Sequence, residues 1–167
     1  GSWGGQSRKR GSLGPLNSDW LRIGGGDGFI CRADPNDPDV VYAEMQYGRF
    51  WRVNVATGAR ATLKTPTPRG KKPRFNWKAP FLLSHHNSRI YYNAGNFVFR
   101  SLNRGDKLEA ISPQISRTDR GTATALAESP RDAKVLWVGT DDGALWVTRD
   151  GGSKWENITE KVGLKGN

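Results

Sequence analysis

The stretch Thr148-Arg149-Asp150-Gly151-Gly152-Ser153-Lys154-Trp155, written TRDGGSKW, decides how the rest of the sequence is interpreted. Asp150 can accept hydrogen bonds from backbone amides of its own turn, and Gly152 can adopt a positive φ because it has no Cβ. The stretch therefore predicts a hairpin turn between two strands. We expect the ring of Trp155 to be buried against the outer edge of the same unit.

The spacing of this turn recurs upstream at a constant offset of 47 residues. The three copies are Asn54-x-Ala56-x-Gly58, Ser101-x-Asn103-x-Gly105 and Thr148-x-Asp150-x-Gly152. Ala56 and Asn103 replace the aspartate, and Ala61 and Leu108 replace the tryptophan, so only the last copy is complete. A fixed period of this size indicates a propeller or another repeat architecture.

Each repeat contains four short β-branched or aromatic runs broken by Gly, Pro, Asn and Asp, with almost no helical periodicity. The predicted strands are 29–33, 40–42, 50–51 and 60–64, then 80–84, 90–92, 97–99 and 107–111, then 122–127, 135–137, 145–147 and 154–159. We predict an all-β chain, a β-propeller segment of about three four-stranded blades plus part of a fourth. The predicted organisation is the end of a preceding blade and a loop leading onward (1–28), a blade (29–66), a basic loop with Pro and Gly (67–79), a blade (80–116), and a blade with the complete turn and a C-terminal tail (117–167).

Composition and charge exclude several classes of protein. The 167 residues are 35% hydrophobic and 25% charged, as in a globular chain, and no apolar run approaches the roughly 20 residues of a membrane helix. The net charge of +10 comes from scattered residues and from two clusters, Arg8-Lys9-Arg10 and 69–78. Neither cluster has a helical pattern, so we expect any heparin or nucleic-acid binding to be nonspecific and lost at moderate salt. The single cysteine, Cys31, excludes an internal disulfide and is predicted to be a small core residue.

The complete pattern Ser/Thr-x-Asp-x-Gly-x-x-Trp resembles the Asp-box of sialidase-like, xyloglucanase-like and sortilin (Vps10)-like propellers. The resemblance extends to GGGDGF (24–29), ADPNDPDVVYAEMQYG (33–48), RFNWKAPFLLS (74–84) and LWVGTDDGALWVTRDGGSKW (136–155). Together these stretches are similar to large exported bacterial proteins of the glycosidase-like BNR-repeat class. The resemblance implies a segment of a larger ring and an extracellular or periplasmic location. It also implies a structural Asp-box, formed by Thr148, Asp150, Gly152 and Trp155, away from any catalytic site.

Alternating loops predict two faces, and ligands of propellers usually bind at one face around the axial channel. The face with the loops before strand one and the turns between strands two and three would hold Asp27, Gln46, Tyr47, Arg74, Asn76, Trp77, Asn93, Asn96, Asp119, Arg120, Asp141 and Asp142. The opposite face would hold residues 34–39, His85, His86, Arg131, Asp132 and the three box turns. The candidate ligand-binding residues are Asp27, Arg74, Asn76, Trp77 and Asp142. A backbone turn is the alternative for Asp27 and for Asp141-Asp142-Gly143.

The function predicted from this face is a non-catalytic binding or scaffold module for carbohydrate or peptide, in which Trp77 stacks on a sugar or clamps a peptide. The alternative is part of a glycoside hydrolase that uses carboxylates from different blades, namely Asp27, Asp141 and Asp142. Tyr42 and Glu44 share one strand face and are interpreted as strand packing. We expect no metal and no cofactor: 34–39 is interpreted as a loop rather than a calcium site, and adjacent His85 and His86 point to opposite faces.

Partners are expected among further propeller blades, either of the same polypeptide or of a second copy. Three blades do not close a ring, because propellers have at least about four. The unclosed flanks would expose apolar side chains, for which the sequence suggests Trp51, Phe97, Phe99 and Trp146. Neither nucleic acid nor a membrane is expected as a partner.

Overall fold

The computed structural model describes residues 1–5, 11 and 14–163, and the basic cluster Arg8-Lys9-Arg10 lies outside them. These residues form three four-stranded antiparallel sheets and one two-stranded sheet, and the strand order in each sheet follows the chain. The described chain has three 3-10 helices of one turn each, Asn17–Asp19, Pro68–Gly70 and Glu160–Val162. Among the described residues, no helix is long and apolar enough to cross a membrane.

The strands group into a partial blade and three blades. The partial blade contains β1 (Ser2–Gly5) and β2 (Trp20–Gly24). The first blade contains β3 (Cys31–Asp34), β4 (Asp37–Met45), β5 (Arg49–Asn54) and β6 (Arg60–Thr62); the second contains β7 (Phe81–Leu83), β8 (Tyr91–Ala94), β9 (Val98–Ser101) and β10 (Glu109–Ala110); the third contains β11 (Ala123–Glu128), β12 (Leu136–Thr140), β13 (Leu145–Thr148) and β14 (Glu156–Asn157). Each of the twelve predicted strands overlaps one of these, so the predicted fold class is confirmed.

The hydrophobic core lies between blades, because the central strands bury apolar side chains that pack on a neighbouring sheet. Tyr42 and Phe50 of the first blade pack on Phe81, Tyr91 and other residues of the second. Val98 of the second blade packs in a separate cluster with residues of the third. Sheets stacked in this way bury their flanks only where a neighbouring sheet is present.

The sequence-based choice of exposed flank residues is wrong. Phe97 is 4% exposed and Phe99 is fully buried, because both lie in the core between the first and second blades. Trp51 is half-buried and its Nε1 donates to the carbonyl of Ile23 at 3.1 Å. Trp146 donates in the same way to the carbonyl of Ile115 at 2.8 Å. Blades within the chain cover all four side chains.

The prediction for Cys31 is also wrong, since this residue is exposed. It begins β3, which has a neighbouring strand on one side only. The apolar residues Phe29 and Ile30 next to it in sequence are half-buried. Position at the free edge of the sheet therefore outweighs the apolar sequence context.

The turn in TRDGGSKW has the hydrogen bonds that the sequence suggests. Thr148 Oγ1 donates to Asp150 Oδ1 at 2.9 Å. Asp150 Oδ1 also accepts from the backbone amide of Lys154 at 2.8 Å. The Lys154 amide is the main cause that lowers the pKa of Asp150. Gly152 has a φ of 96°, and a Cβ there would lie 3.0 Å from Ile111. Both the backbone conformation and the close approach to the second blade require glycine.

The second copy forms the same turn although it has no aspartate. Ser101 Oγ donates to Asn103 Oδ1 at 2.7 Å, and Asn103 Oδ1 accepts from the amide of Lys107 at 3.1 Å. The amide of Gly105 donates to Ser101 Oγ at 3.0 Å. The asparagine oxygen thus occupies the place of one carboxylate oxygen.

The first copy is a different turn. Val53 pairs with Arg60, so residues 54–59 connect β5 and β6. In the other two blades the pairs Arg100–Glu109 and Val147–Glu156 leave the longer connections 101–108 and 148–155. The constant offset therefore marks structurally equivalent turns only in the second and third blades.

Two of these turns also connect neighbouring blades. Arg52 of β5 donates through Nη1 to the carbonyl of Arg104 at 2.6 Å, and Arg100 of β9 donates through Nη1 to the carbonyl of Gly151 at 2.9 Å. The two acceptors occupy equivalent turn positions, and both have a positive φ, 62° and 73°. Trp155 donates from Nε1 to the carbonyl of Ile111 at 2.6 Å, so its ring also contacts the chain that follows the second blade.

Candidate functional site

The three innermost strands surround a cleft of about 780 Å³. Its walls are residues of β3, β7 and β11, which are the first strands of the three blades. The exposed side chains Arg32 and Lys78 line it. The one carboxylate in its lining, Glu128, is buried and accepts hydrogen bonds from Ser84 Oγ at 2.8 Å and from the amide of His85 at 2.6 Å. The accessible charge of this axial cleft is therefore positive.

Aromatic side chains lie together on the loop face. The ring centroids of Tyr47 and Trp77 are 5.1 Å apart at an interplanar angle of 90°, and Phe29 lies 6.3 Å from Trp77. Tyr47 is 61% exposed and Trp77 is 46% exposed. We call Phe29, Tyr47 and Trp77 the aromatic platform. The exposed rings of Tyr47 and Trp77 leave apolar surface open to a ligand. Their edge-to-face contact holds the two rings in a fixed arrangement.

The backbone of Tyr47 has an unusual conformation. Its φ is 61°, in the left-handed region that bulky residues seldom adopt. Its amide donates to the carbonyl of Trp77 at 3.2 Å, which ties the β4–β5 turn to the loop before β7. Gly48, the next residue, also has a positive φ of 69°, so both residues belong to the tight turn that connects β4 and β5.

A second cleft, of about 540 Å³, lies beside Tyr47. Arg49 and Lys72 contribute positive charge to its lining, and Thr65 and Thr67 contribute hydroxyl groups. The aromatic platform therefore borders two clefts with positive charge. Tyr47 lines the second cleft, and Lys78, the residue after Trp77, lines the axial cleft.

Asp27 and Arg74, two of the predicted ligand-binding residues, bond to other residues of the chain. Asp27 Oδ2 accepts from Gln46 Nε2 at 2.7 Å. Arg74 Nη2 lies 3.4 Å from Ser116 Oγ and the carbonyl of Gly121, and 3.5 Å from the carbonyl of Thr118. Asp27 thus fixes the β4–β5 turn, and Arg74 joins the loop before the second blade to the loop before the third.

Asn76, Asp141 and Asp142 link the same two loops. Asn76 Nδ2 donates to Asp141 Oδ2 at 2.9 Å, and Asp141 Oδ1 accepts from the amide of Thr122 at 2.8 Å. Asp142 Oδ2 accepts from the amide of Thr118 at 2.8 Å. No hydrogen bond or ion pair described for the chain joins Asp27 to Asp141 or Asp142. The structure therefore brings the loop before the second blade together with the β12–β13 turn and the loop before the third blade. Asp27 lies apart from them, at the β4–β5 turn of the first blade.

The protonation of Asp142 follows from these contacts. Partial burial acts to raise its pKa, but hydrogen bonds from Thr140 and Thr118 outweigh burial, and the pKa lies below its ordinary value. An aspartate that is ionised at neutral pH can act as a base or nucleophile. It is poorly suited to donate a proton to a leaving group.

Glu44 is a buried carboxyl group that sequence reasoning assigned to strand packing. It is 0% exposed, and neither carboxyl oxygen has a hydrogen-bond partner of normal geometry among the residues that the structure describes. Burial raises its pKa from 4.5 to about 7, although the nearby backbone of Ile30 and Ala79 and the charge of Lys78 act in the other direction. Alternation with Tyr42 was the available sequence signal, but it does not reveal whether a partner is present.

On the opposite face, the acidic stretch 34–39 is held by one arginine. Arg104 lies 3.8 Å from Asp34 Oδ2 and 3.4 Å from Asp37 Oδ2. His86 Nε2 lies 2.8 Å from the carbonyl of Ser129. Among the described residues, no group of three or more His, Cys, Asp or Glu side chains is arranged to hold a metal ion.

No protein-family model and no curated protein sequence matches the chain. Solved structures do resemble it. The structure of an ancestral GH74 enzyme superposes with a TM-score of 0.58 at 17% identity, over 80% of this chain and 18% of the other. The GH74 xyloglucanase from Xanthomonas campestris superposes with a TM-score of 0.56 at 22% identity, over 94% of this chain and 22% of the other. YCF48 from Cyanidioschyzon merolae gives a TM-score of 0.47 at 17% identity, over 78% of this chain and 36% of the other.

The two GH74 structures are β-propeller proteins, and this chain shares their fold. The chain spans only about a fifth of the length of either GH74 structure. Identity at this level defines the class of fold. It does not carry over the activity.

Proposed function

We propose that this propeller segment is a non-catalytic binding module, whose ligand, carbohydrate or peptide, docks on the aromatic platform at the loop face. The observation that carries the proposal is the exposed pair Tyr47–Trp77, held at 5.1 Å with Tyr47 in a strained backbone conformation. Exposed, fixed aromatic rings offer a large contact area at low entropic cost, and they suit the apolar face of a sugar or a peptide side chain.

In this proposal the predicted site residues have two roles. Trp77 contacts the ligand together with Tyr47. Asp27, Arg74 and Asn76, like Asp142, have side chains bonded to neighbouring loops, and they keep the platform in place. The residues that meet the ligand are therefore the exposed aromatic ones.

The test is binding of the 167-residue chain to a glycan array and a peptide library, followed by titration of the best ligand. We expect Trp77→Ala to weaken binding about 10-fold, because an aromatic contact contributes up to about 1.5 kcal/mol and roughly 1.4 kcal/mol is a tenfold change in affinity. Trp3→Ala is the matched control, because Trp3 is 60% exposed on the partial blade. Equal affinity of the wild-type chain and Trp77→Ala would reject the platform as the site.

A glycoside hydrolase is the alternative that the same preparation tests. Hydrolysis of aryl glycosides that disappears in Asp27→Asn or Asp142→Asn would replace the binding proposal with the enzyme. The low pKa of Asp142 favours a base or nucleophile over a general acid for this residue. Asp141, bonded to Asn76 and Thr122, is the other candidate carboxylate.

The proposal also includes a wider setting. We also propose that the chain is a sortilin (Vps10)-like segment with an Asp-box, that it is exported, and that it packs against further blades. These three proposals rest on the sequence resemblance. The solved GH74 propellers, more than four times as long as this chain, support the presence of further blades. Fractionation of cells that express the natural gene tests export directly.

A further inference from the structure

Three fully buried side chains between the first and second blades carry polar atoms for which the described residues provide no hydrogen bond of normal geometry, although polar groups of Ile30, Ala79 and Asn93 lie nearby. Glu44, Tyr91 and Asn93 are each 0% exposed. The atoms without a partner are Glu44 Oε1 and Oε2, Tyr91 Oη, and Asn93 Oδ1 and Nδ2. Buried polar atoms of native proteins nearly always have a partner, and an unpaired one costs about 1–3 kcal/mol.

These side chains face one another across the two blades. Tyr91 and Asn93 are two residues apart on β8, so they leave the same face of that strand. Glu44 leaves the same face of β4 as Tyr42, and Tyr42 stacks on Tyr91 with centroids 5.5 Å apart. Burial raises the pKa of the Tyr91 phenol, the nearby Asn93 amide acts against it, and the Glu44 carboxylate adds to the rise. The three polar groups are thus close enough to affect one another.

We propose that Glu44, Tyr91 and Asn93 form a binding site for internal water, in which at least one ordered molecule bridges the carboxyl group to the phenol and the amide. Tyr91 Oη–H and Asn93 Nδ2–H are donors, whereas Glu44 and Asn93 Oδ1 are acceptors. Water satisfies both kinds of group at once, and internal waters typically make about three hydrogen bonds.

A bound cation fits this set less well than water does. A cation would satisfy the oxygens of Glu44 and Asn93 but would leave the Asn93 amide hydrogens without an acceptor. The site does not depend on the proposed ligand, although it lies under the platform: Glu44 precedes Tyr47 by three residues, and its carboxyl group lies near Ala79, two residues after Trp77.

A high-resolution crystal structure of the chain provides the first test. We expect a solvent peak within hydrogen-bond distance of the Glu44 carboxyl group and of Tyr91 Oη or an Asn93 side-chain atom. Direct hydrogen bonds that connect the three side chains, with no solvent between them, would overturn the proposal. A peak with the short distances and oxygen-only contacts of a metal ion would overturn it too.

Water-oxygen magnetic relaxation dispersion on the folded chain provides the second test, because it counts long-lived internal water. We expect the double variant Tyr91→Phe with Asn93→Leu to lose a long-lived contribution that the wild-type protein shows. Tyr92→Phe is the matched control, since Tyr92 is 3% exposed on the other face of β8. Identical dispersion for the wild-type protein and the double variant would reject the site. If the double variant does not fold, the crystal structure of the wild-type chain decides.

Discussion

The carboxyl group of Glu44 is shielded from water, so its ionised form is costly and its pKa rises to about 7. Three groups partly offset the effect of burial: the backbone of Ile30, the charge of Lys78 and the backbone of Ala79. A raised pKa in the folded state means that the folded protein binds this proton more tightly than the unfolded protein does.

The first expectation concerns pH and stability. Between the unfolded pKa near 4.5 and the folded pKa near 7, the folded state holds more protons, so the free energy of unfolding falls as pH rises through this window. The stabilisation is complete below pH 4.5 and lost above pH 7. At 1.36 kcal/mol per pKa unit, a rise from 4.5 to about 7 corresponds to roughly 3 kcal/mol.

Urea unfolding of the wild-type chain and of Glu44→Gln at several pH values measures this effect. Glutamine cannot titrate, so the difference in free energy of unfolding between the two proteins isolates Glu44 from the two histidines. We expect that difference to change by about 3 kcal/mol across the window. A difference that is constant from pH 4.5 to 8 would show that Glu44 keeps its ordinary pKa in the folded state.

At the scale of elements, the turns between the third and fourth strands of the second and third blades serve to join neighbouring blades. Arg52 donates to the carbonyl of Arg104, and Arg100 donates to the carbonyl of Gly151, across successive blade pairs. The left-handed backbone at Arg104 and Gly151 is common to both acceptors. The turn geometry that these two blades share therefore contributes to packing between sheets as well as to chain reversal.

The second expectation tests this contact. Arg100→Met keeps much of the aliphatic packing and removes the donor to Gly151, and we expect it to lower the free energy of unfolding by about 1–2 kcal/mol. Arg149→Met is the control, because Arg149 is 64% exposed and its ion pair with Glu156 lies at the surface. Thermal unfolding by circular dichroism compares the variants. Equal melting temperatures for Arg100→Met and Arg149→Met would show that the turn contact adds nothing to stability.

At the scale of the whole molecule, local pattern was enough to identify the strands, because alternation and turn residues act within a few positions. Local pattern also indicated that Arg74, Asn76 and Asp141 lie on one face of the segment. The contacts of Asn76 with Asp141 and of Arg74 with the carbonyl of Gly121 agree with this. Burial depends on neighbours that are distant in sequence, which is why Cys31 and Phe99 were assigned wrongly. The missing partners of Glu44 were hidden for the same reason.

The apolar surface at the ends of the segment follows from blade packing. Tyr42, Tyr92 and Trp137 lie on the second strands of the three blades, where they pair with Arg52, Arg100 and Val147 of the third strands. Arg52 and Arg100 both donate to the following blade, so Tyr42 and Tyr92 face that blade as well, and Trp137 has the corresponding place on the last described blade. The first two are buried against the following blade, at 0% and 3% exposure, whereas Trp137 is 37% exposed on the last described blade. On the partial blade, Trp3 and Leu21 are 60% and 50% exposed.

The last expectation is that the 167-residue chain associates through these surfaces. Exposed apolar flanks of a sheet promote association, and two copies would supply six full blades, enough for a closed ring. Light scattering at micromolar concentration should give a mass above the monomer mass of 18.5 kDa. Trp137→Glu should shift the population toward monomer, because a charge on this flank must be desolvated on packing, whereas Leu102→Glu, at a 61% exposed turn position, should not. A monodisperse wild-type monomer that melts cooperatively would show that the open flanks are stable in water and that association is not needed.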